Sequence, residues 1–254
     1  MRVHVVSDVH GRADALALAG DGADALICLG DLVLFLDYDD AAGGIFAELF
    51  GPEAATELIS LRSQRRFDDA REFSRGLWAQ VEDRQAVIER AVREQYAALF
   101  AAMPTPAYMT YGNVDIPALW LDYARDGVSV LDGEVVDIGG RTFGFVGGGL
   151  QTPMHTPFEI SDEEFAAKVT AVGSVDVLCC HIPPDVPELL YDVAARRMER
   201  GSVAVLDAIR DTAPDLVLFG HVHNPLSSRT RIGRTECVNV GHFRGRGTPF
   251  VLTW

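Results

Sequence analysis

Cysteine is scarce in this chain, with four in 254 residues, and none of the four form a C-x-x-C pair. Three of them lie inside apolar runs, which indicates buried, reduced thiols rather than a disulfide framework. The four are Cys28, Cys179, Cys180 and Cys237.

Basic residues are also in the minority, because 22 Lys and Arg stand against 37 Asp and Glu and give a formal net charge of −15. Such a field repels polyphosphate backbones, which argues against non-specific binding to long nucleic acid. A bound metal ion can reverse the sign locally, so a small phosphorylated substrate stays open as a partner.

Long apolar runs are lacking as well. None approaches the ~18 residues of a membrane span, and the first ten residues have neither the apolar core nor the cleavage site of a signal peptide. No G-x-G-x-x-G motif follows the first predicted strand, which argues against dinucleotide binding. We therefore expect a cytoplasmic protein that does not contact a membrane.

Short runs rich in Val, Ile and Leu recur instead, each ending in glycine or a polar residue, a pattern typical of strands covered on both faces by helices. The length allows one large α/β domain or two small ones, and we expect a single domain over residues 1–254. The five clearest strands are residues 3–6, 25–29, 108–111, 175–180 and 216–219. Further strands are predicted at residues 129–138 and 142–146, which form a hairpin, and at 229–232, 236–240 and 250–254, with helices at 13–19, 163–172 and 203–211.

Residues 43–102 differ from this pattern and are predicted to form a helical insertion. Apolar residues recur there at near-helical spacing, so residues 68–102 should form one long helix or two, ended by Pro104. The sequence leaves open whether the insertion is a lid, a dimer surface or both, and with it whether the chain forms a homo-oligomer.

Potential metal ligands follow the predicted strands, at the end where parallel sheets collect ligands. Buried carboxylates and imidazoles without partners cost several kcal/mol, so a cluster of them favours a bound cation. Histidine and carboxylate without cysteine suit Mn, Fe, Zn or Ni, and the number of ligands suits two ions that share one carboxylate. The candidates are Asp8, His10, Asp31, Asn113, His181, His221 and His223.

This series of D-x-H, GD, GN, a strand-end His and G-H-x-H resembles the calcineurin-like metallophosphoesterases, in the family's order and over nearly the whole chain. The resemblance implies a four-layer αββα sandwich with two central mixed sheets. It also implies a phosphohydrolase that uses two divalent metal ions, of which manganese is the preferred one. A hydroxide that bridges the two ions would attack phosphorus in line. Asp31 and Asn113 would act in catalysis. The implied ligands are Asp8, His10 and His223 for one ion and Asn113, His181 and His221 for the other, with Asp31 bridging both.

The sequence departs from the family at Val114, which stands where many members have a histidine after Gly-Asn, although Asp115 is kept. That histidine helps to protonate the leaving group, a contribution of typically ~10²–10⁴-fold. Its loss favours a phosphodiesterase, with a phosphomonoesterase or nucleotide pyrophosphohydrolase as alternatives and a non-catalytic metal-binding scaffold as an alternative of another class. His155 and His242 are candidate substrate-binding residues that could take its place.

Overall fold

The computed structural model describes residues 1–123 and 125–254. The chain divides into two compact units. We call Met1–Leu32 together with Leu99–Trp254 the core unit, and Val33–Ala98 the helical unit. No helix within the described residues is long and apolar enough to cross a membrane.

Strands and helices are interspersed along the chain, with a run of helices between β2 and β3 and a run of strands from β4 to β8. The strands are β1 Arg2–Val6, β2 Ala25–Cys28, β3 Ala107–Met109, β4 Val128–Val130, β5 Glu134–Ile138, β6 Arg141–Val146, β7 Gly149–Leu150, β8 Glu159–Ile160, β9 Val177–Cys180, β10 Tyr191–Asp192, β11 Arg197–Met198, β12 Leu216–Phe219, β13 Arg229–Ile232, β14 Thr235–Asn239 and β15 Phe250–Thr253. The helices are α1 Ala13–Leu16, α2 Gly44–Phe50, α3 Pro52–Ser63, α4 Phe67–Trp78, α5 Arg84–Ala102, α6 Pro117–Trp120, α7 Asp162–Val172, α8 Pro187–Leu190, α9 Val203–Thr212 and α10 Phe243–Arg246.

Two large mixed sheets form the centre of the core unit. The first has the order β15-β1-β2-β3-β4, in which β1 to β4 are parallel and β15 pairs antiparallel to β1. The second has the order β13-β14-β12-β9-β6-β5, with a parallel centre and an antiparallel strand at each edge. The five strands that are clearest in the sequence, which correspond to β1, β2, β3, β9 and β12, all lie in these parallel centres.

The sheets face each other across one hydrophobic core. Side chains such as Val5 and Ile27 from the first sheet pack with Phe145 and Leu218 from the second. The outer face of the second sheet is covered by α7 and α9, which bury Phe165 and Val205 in a second cluster. Alternation along β1 turns His4 to the opposite face, where its Nδ1 bonds the Ala19 carbonyl at 2.8 Å. The αββα layering is therefore confirmed.

The hairpin around Gly139 and Gly140 forms between β5 and β6. A single strand over residues 129–138 is wrong, because the chain turns at Gly133, which has a φ of +74°. Residues before the turn form β4 in the first sheet, and those after it form β5 in the second. Glycine adopts this backbone conformation without the steric cost that a Cβ imposes.

The helical unit is built from α2, α3, α4 and most of α5. Residues 68–102 thus form two helices rather than one. Phe46, Ala55 and Leu58 centre a small hydrophobic core of this unit.

Candidate metal centre

The seven predicted ligands all follow the carboxyl ends of parallel strands. Asp8 and His10 follow β1, Asp31 follows β2, and Asn113 follows β3. His181 follows β9 in the second sheet, and His221 and His223 follow β12. The two sheets thereby bring residues more than 200 positions apart into hydrogen-bond range.

The backbone is strained at four of these positions. Asp8, His10, Asp31 and His221 have φ values of 57°, 42°, 55° and 68°. Non-glycine residues in this left-handed region cost of order 1–3 kcal/mol each, and such residues cluster at functional sites. Local bonds hold the strained loops, including His10 N–H to the Asp31 carbonyl at 2.9 Å.

One group of donor atoms surrounds Asp8 and His10. His10 Nε2 lies 3.3 Å from His223 Nε2, and His223 Nε2 lies 3.5 Å from Asp8 Oδ1. His10 Nε2 also lies 3.9 Å from Asp31 Oδ2. Asp8, His10 and Asp31 offer donor atoms that all lie within 4.8 Å of one another.

A second group surrounds Asn113. Its Oδ1 lies 3.1 Å from His181 Nε2 and 2.9 Å from His221 Nδ1. His181 Nε2 lies 3.3 Å from Asp31 Oδ2. Asp31 Oδ2 therefore faces both groups, which is the position that a bridging carboxylate requires. His181 Nδ1 bonds the Leu29 carbonyl at 2.9 Å, which assigns a proton to Nδ1 and directs Nε2 into the site.

Burial and the charges of neighbouring side chains shift the pKa values of these ligands. Burial alone would raise the pKa of Asp8 and Asp31, but the neighbouring histidines, His223 for Asp8 and His181 for Asp31, hold both below their ordinary value. Burial would lower the pKa of His181, yet Asp31 raises it to about 9. Burial and His181 together lower the pKa of His221.

Asp115 contacts the backbone around the site. Its carboxylate accepts backbone N–H bonds from Asp31, Leu32 and Gly112 at 2.8, 2.9 and 2.8 Å. Burial, together with the Asp31 charge, raises its pKa to about 7. The sequence flagged Asp115 only as a preserved motif position; its contacts show that it fixes the loop carrying Asp31.

The two candidate substrate-binding histidines lie in different environments. The His242 ring stacks on His223 with centroids 3.8 Å apart and planes 6° apart, and His242, His10 and His223 offer nitrogens within 4.8 Å of one another. Its Nε2 is buried without a hydrogen-bond partner among the described residues, and burial lowers its pKa to about 3. His155 is exposed, and across residues 1–123 and 125–254 its side chain makes no hydrogen bond.

The donor set fits divalent metal ions. Carboxylate oxygens, one amide oxygen and imidazole nitrogens converge without any thiolate, a combination suited to Mn, Fe, Zn or Ni. A cation or its ligand would satisfy the buried carboxylates of Asp8 and Asp31. It would also satisfy His242 Nε2, which has no hydrogen-bond partner in the part of the chain that the structure describes.

Comparison with known proteins agrees with this geometry. The calcineurin-like phosphoesterase family matches residues 1–225, so the chain belongs to that family. It is accordingly a hydrolase that acts on phosphoric esters, and its family uses divalent metals.

Solved structures of low sequence identity share the fold. One aligns with a TM-score of 0.58 and 16% identity over 95% of this chain and 91% of its own. The protein TT1561 of Thermus thermophilus aligns with a TM-score of 0.52 and 16% identity over 96% of this chain and 90% of its own. No curated protein matches the sequence.

Proposed function

We propose that the protein is a phosphodiesterase that acts on a small phosphorylated substrate and uses two divalent metal ions. Manganese is the proposed metal, with iron, zinc or nickel as alternatives. The observation that carries the proposal is the position of Asp31, whose Oδ2 lies 3.9 Å from His10 Nε2 and 3.3 Å from His181 Nε2. A carboxylate between two groups of ligands suits two ions better than one. The four buried free cysteines support a reducing location such as the cytoplasm.

Each group of side chains would hold one ion. Asp8, His10 and His223 would hold the first, and Asn113, His181 and His221 the second, with Asp31 shared. When bound, two such ions lower the pKa of a water molecule towards neutrality and stabilise negative charge on the phosphoryl oxygens.

The chain's own residues orient the reaction. Asp31, which lies between the two groups of ligands, and Asn113, whose Oδ1 faces two histidines, are the proposed catalytic residues. His242 is proposed to contact a phosphoryl oxygen, because its buried Nε2 has no hydrogen-bond partner within the described chain. The low pKa keeps this ring neutral, so it would act as a hydrogen-bond donor rather than as a fixed positive charge. His155 stays the second candidate.

The preference for diesters is proposed from the side chain of Val114, which cannot protonate a leaving group. Val114 lies beside the site, since its backbone N–H donates to Asp31 Oδ1 at 3.0 Å, but a valine side chain carries no proton to give. Leaving groups that need protonation should therefore depart slowly, whereas good leaving groups should not be affected.

The test compares hydrolysis of bis(p-nitrophenyl) phosphate and p-nitrophenyl phosphate by metal-stripped protein resupplied with Mn²⁺. Strong turnover of the diester with weak turnover of the monoester is expected. Equal or faster monoester turnover would contradict the diesterase assignment. No turnover of either ester, with two ions bound, would favour the scaffold.

The leaving-group argument has its own variant. Val114→His should speed hydrolysis of an ester with an alkyl leaving group by at least about tenfold. The nitrophenyl diester is the matched control, because its leaving group departs without a proton and its rate should stay unchanged. Equal acceleration of both esters would contradict the argument.

A further inference from the structure

The loop between β7 and β8 contacts a proposed metal ligand through a residue that no motif marks. Asn113 Nδ2 donates a hydrogen bond to Thr156 Oγ1 at 3.0 Å. Thr156 Oγ1 in turn donates to Glu159 Oε1 at 2.9 Å. A chain of three side chains therefore runs from a carboxylate to the amide of Asn113.

The direction of these bonds follows from the number of protons available. A threonine hydroxyl has one proton, and an ionised carboxylate can only accept. The Thr156 proton is therefore committed to Glu159, and the hydroxyl oxygen can only accept from its other neighbour. Among the two ends of the Asn113 amide, only the NH₂ can donate. Glu159 thus determines through Thr156 which way the Asn113 amide points.

This orientation matters at the other end of the same amide. With Nδ2 held by Thr156, Oδ1 faces His181 and His221 at 3.1 and 2.9 Å. The oxygen is the end that a divalent cation binds, whereas an amide NH₂ is no ligand. A rotated amide would direct two N–H groups at the ion.

Several further hydrogen bonds hold the loop. Glu159 also accepts bonds from Thr152 Oγ1 at 2.6 Å and from the backbone N–H groups of Thr152 and Thr156 at 2.8 and 3.1 Å. Phe158 N–H donates to the Asn113 carbonyl at 2.9 Å. Charged acceptors form the stronger hydrogen bonds in proteins, so Glu159 fixes the loop and the Thr156 hydroxyl together.

We propose that Thr156, oriented by Glu159, is a positioning residue that keeps Asn113 Oδ1 directed at the second metal ion. The inference rests on the proposed function, because it assumes that Asn113 binds an ion. Partners that orient a metal ligand typically contribute about 10–100-fold in metal affinity. Loss of the Thr156 hydroxyl should lower the affinity for one of the two ions by that factor and leave the affinity for the other ion unchanged.

The experiment titrates Mn²⁺ into metal-stripped wild type and three variants by isothermal titration calorimetry. Thr156→Val has nearly the same shape but no hydroxyl, and we expect one of the two binding steps to weaken about 10–100-fold. Thr156→Ser keeps the hydroxyl and should restore binding. Thr152→Val is the matched control, since Thr152 also bonds Glu159 but does not reach Asn113. If Thr156→Val lacks the wild-type circular dichroism spectrum, Thr156→Ala takes its place.

Two results would overturn the positioning role alone. In the first, wild type binds two ions and the Thr156→Val variant binds both of them with the same affinity as wild type. In the second, the Thr152→Val variant loses as much affinity as Thr156→Val, which would make the effect one of loop stability. Wild type that binds fewer than two ions would overturn the proposed function itself, and the positioning role with it.

Discussion

Gly220, which precedes His221, has no room for a larger side chain. A Cβ built on it would lie 1.9 Å from Ser7 Oγ and 2.4 Å from Asp8 Oδ2. Ordinary van der Waals contact begins at 3.4 Å, so Gly220→Ala forces these atoms apart by about 1 Å or more. Because Asp8 is a proposed metal ligand, the displacement acts directly on the site.

The size of the effect follows from these distances. Overpacking a filled core costs about 1–3 kcal/mol of unfolding free energy. A misplacement of about 1 Å near the reacting atoms lowers the rate about 10²-fold. We therefore expect Gly220→Ala to lose about 1–3 kcal/mol of stability without metal and about 10²-fold in kcat/KM for the nitrophenyl diester.

The assay is urea unfolding of the metal-stripped protein, followed by kinetics after Mn²⁺ is restored. Gly76→Ala is the matched control, because Gly76 lies inside α4 with nothing within 4 Å of an added Cβ. Alanine should stabilise that helix by about 0.5–1 kcal/mol and leave activity unchanged. A Gly220→Ala protein as stable and as active as wild type would refute the packing argument.

Two further predictions concern protonation and helix capping. The pKa of His181, about 9 in the metal-free fold, lies above its ordinary 6.5. Its protonated form therefore stabilises that fold below pH 6.5, and this contribution is lost as the pH rises through 9. Mn²⁺ binding at pH 7.5 should accordingly release a proton, measured by calorimetry in buffers of different ionisation enthalpy, and no dependence on the buffer would contradict the shift. Ser202 Oγ caps α9 by accepting from Val205 N–H at 3.2 Å, so Ser202→Ala should lose about 1 kcal/mol in urea unfolding, and an unchanged midpoint would contradict the cap.

Local sequence was enough to predict the centre of the fold. The parallel strands are short and apolar because both of their faces are covered, and that composition can be recognised without a partner strand. Predicted strand ends also located the ligand candidates, since each candidate directly follows such a run. The exact first and last residues of each strand depend on tertiary pairing, so they are predicted less accurately than the existence of the strand. The turn at Gly133, which moves the chain from one sheet to the other, depends on two sheets that no local window contains.

The supporting residues of the site were harder to predict. Thr156 and Glu159 lie more than forty positions from Asn113, and threonine and glutamate are common in loops. Similarly, the stacking of His242 on His223 depends on how the turn after β14 approaches the turn after β12. These contacts are set by the packing of the two sheets, and no spacing rule within the sequence contains them.

The most direct test of the account is a crystal structure of the Mn²⁺-loaded protein with anomalous data collected at the manganese edge. We expect two anomalous peaks about 3.5–4 Å apart. Both peaks should lie within bonding distance of Asp31, and each should be contacted by one of the two ligand groups. A single peak, or two peaks without Asp31 between them, would contradict the dinuclear centre.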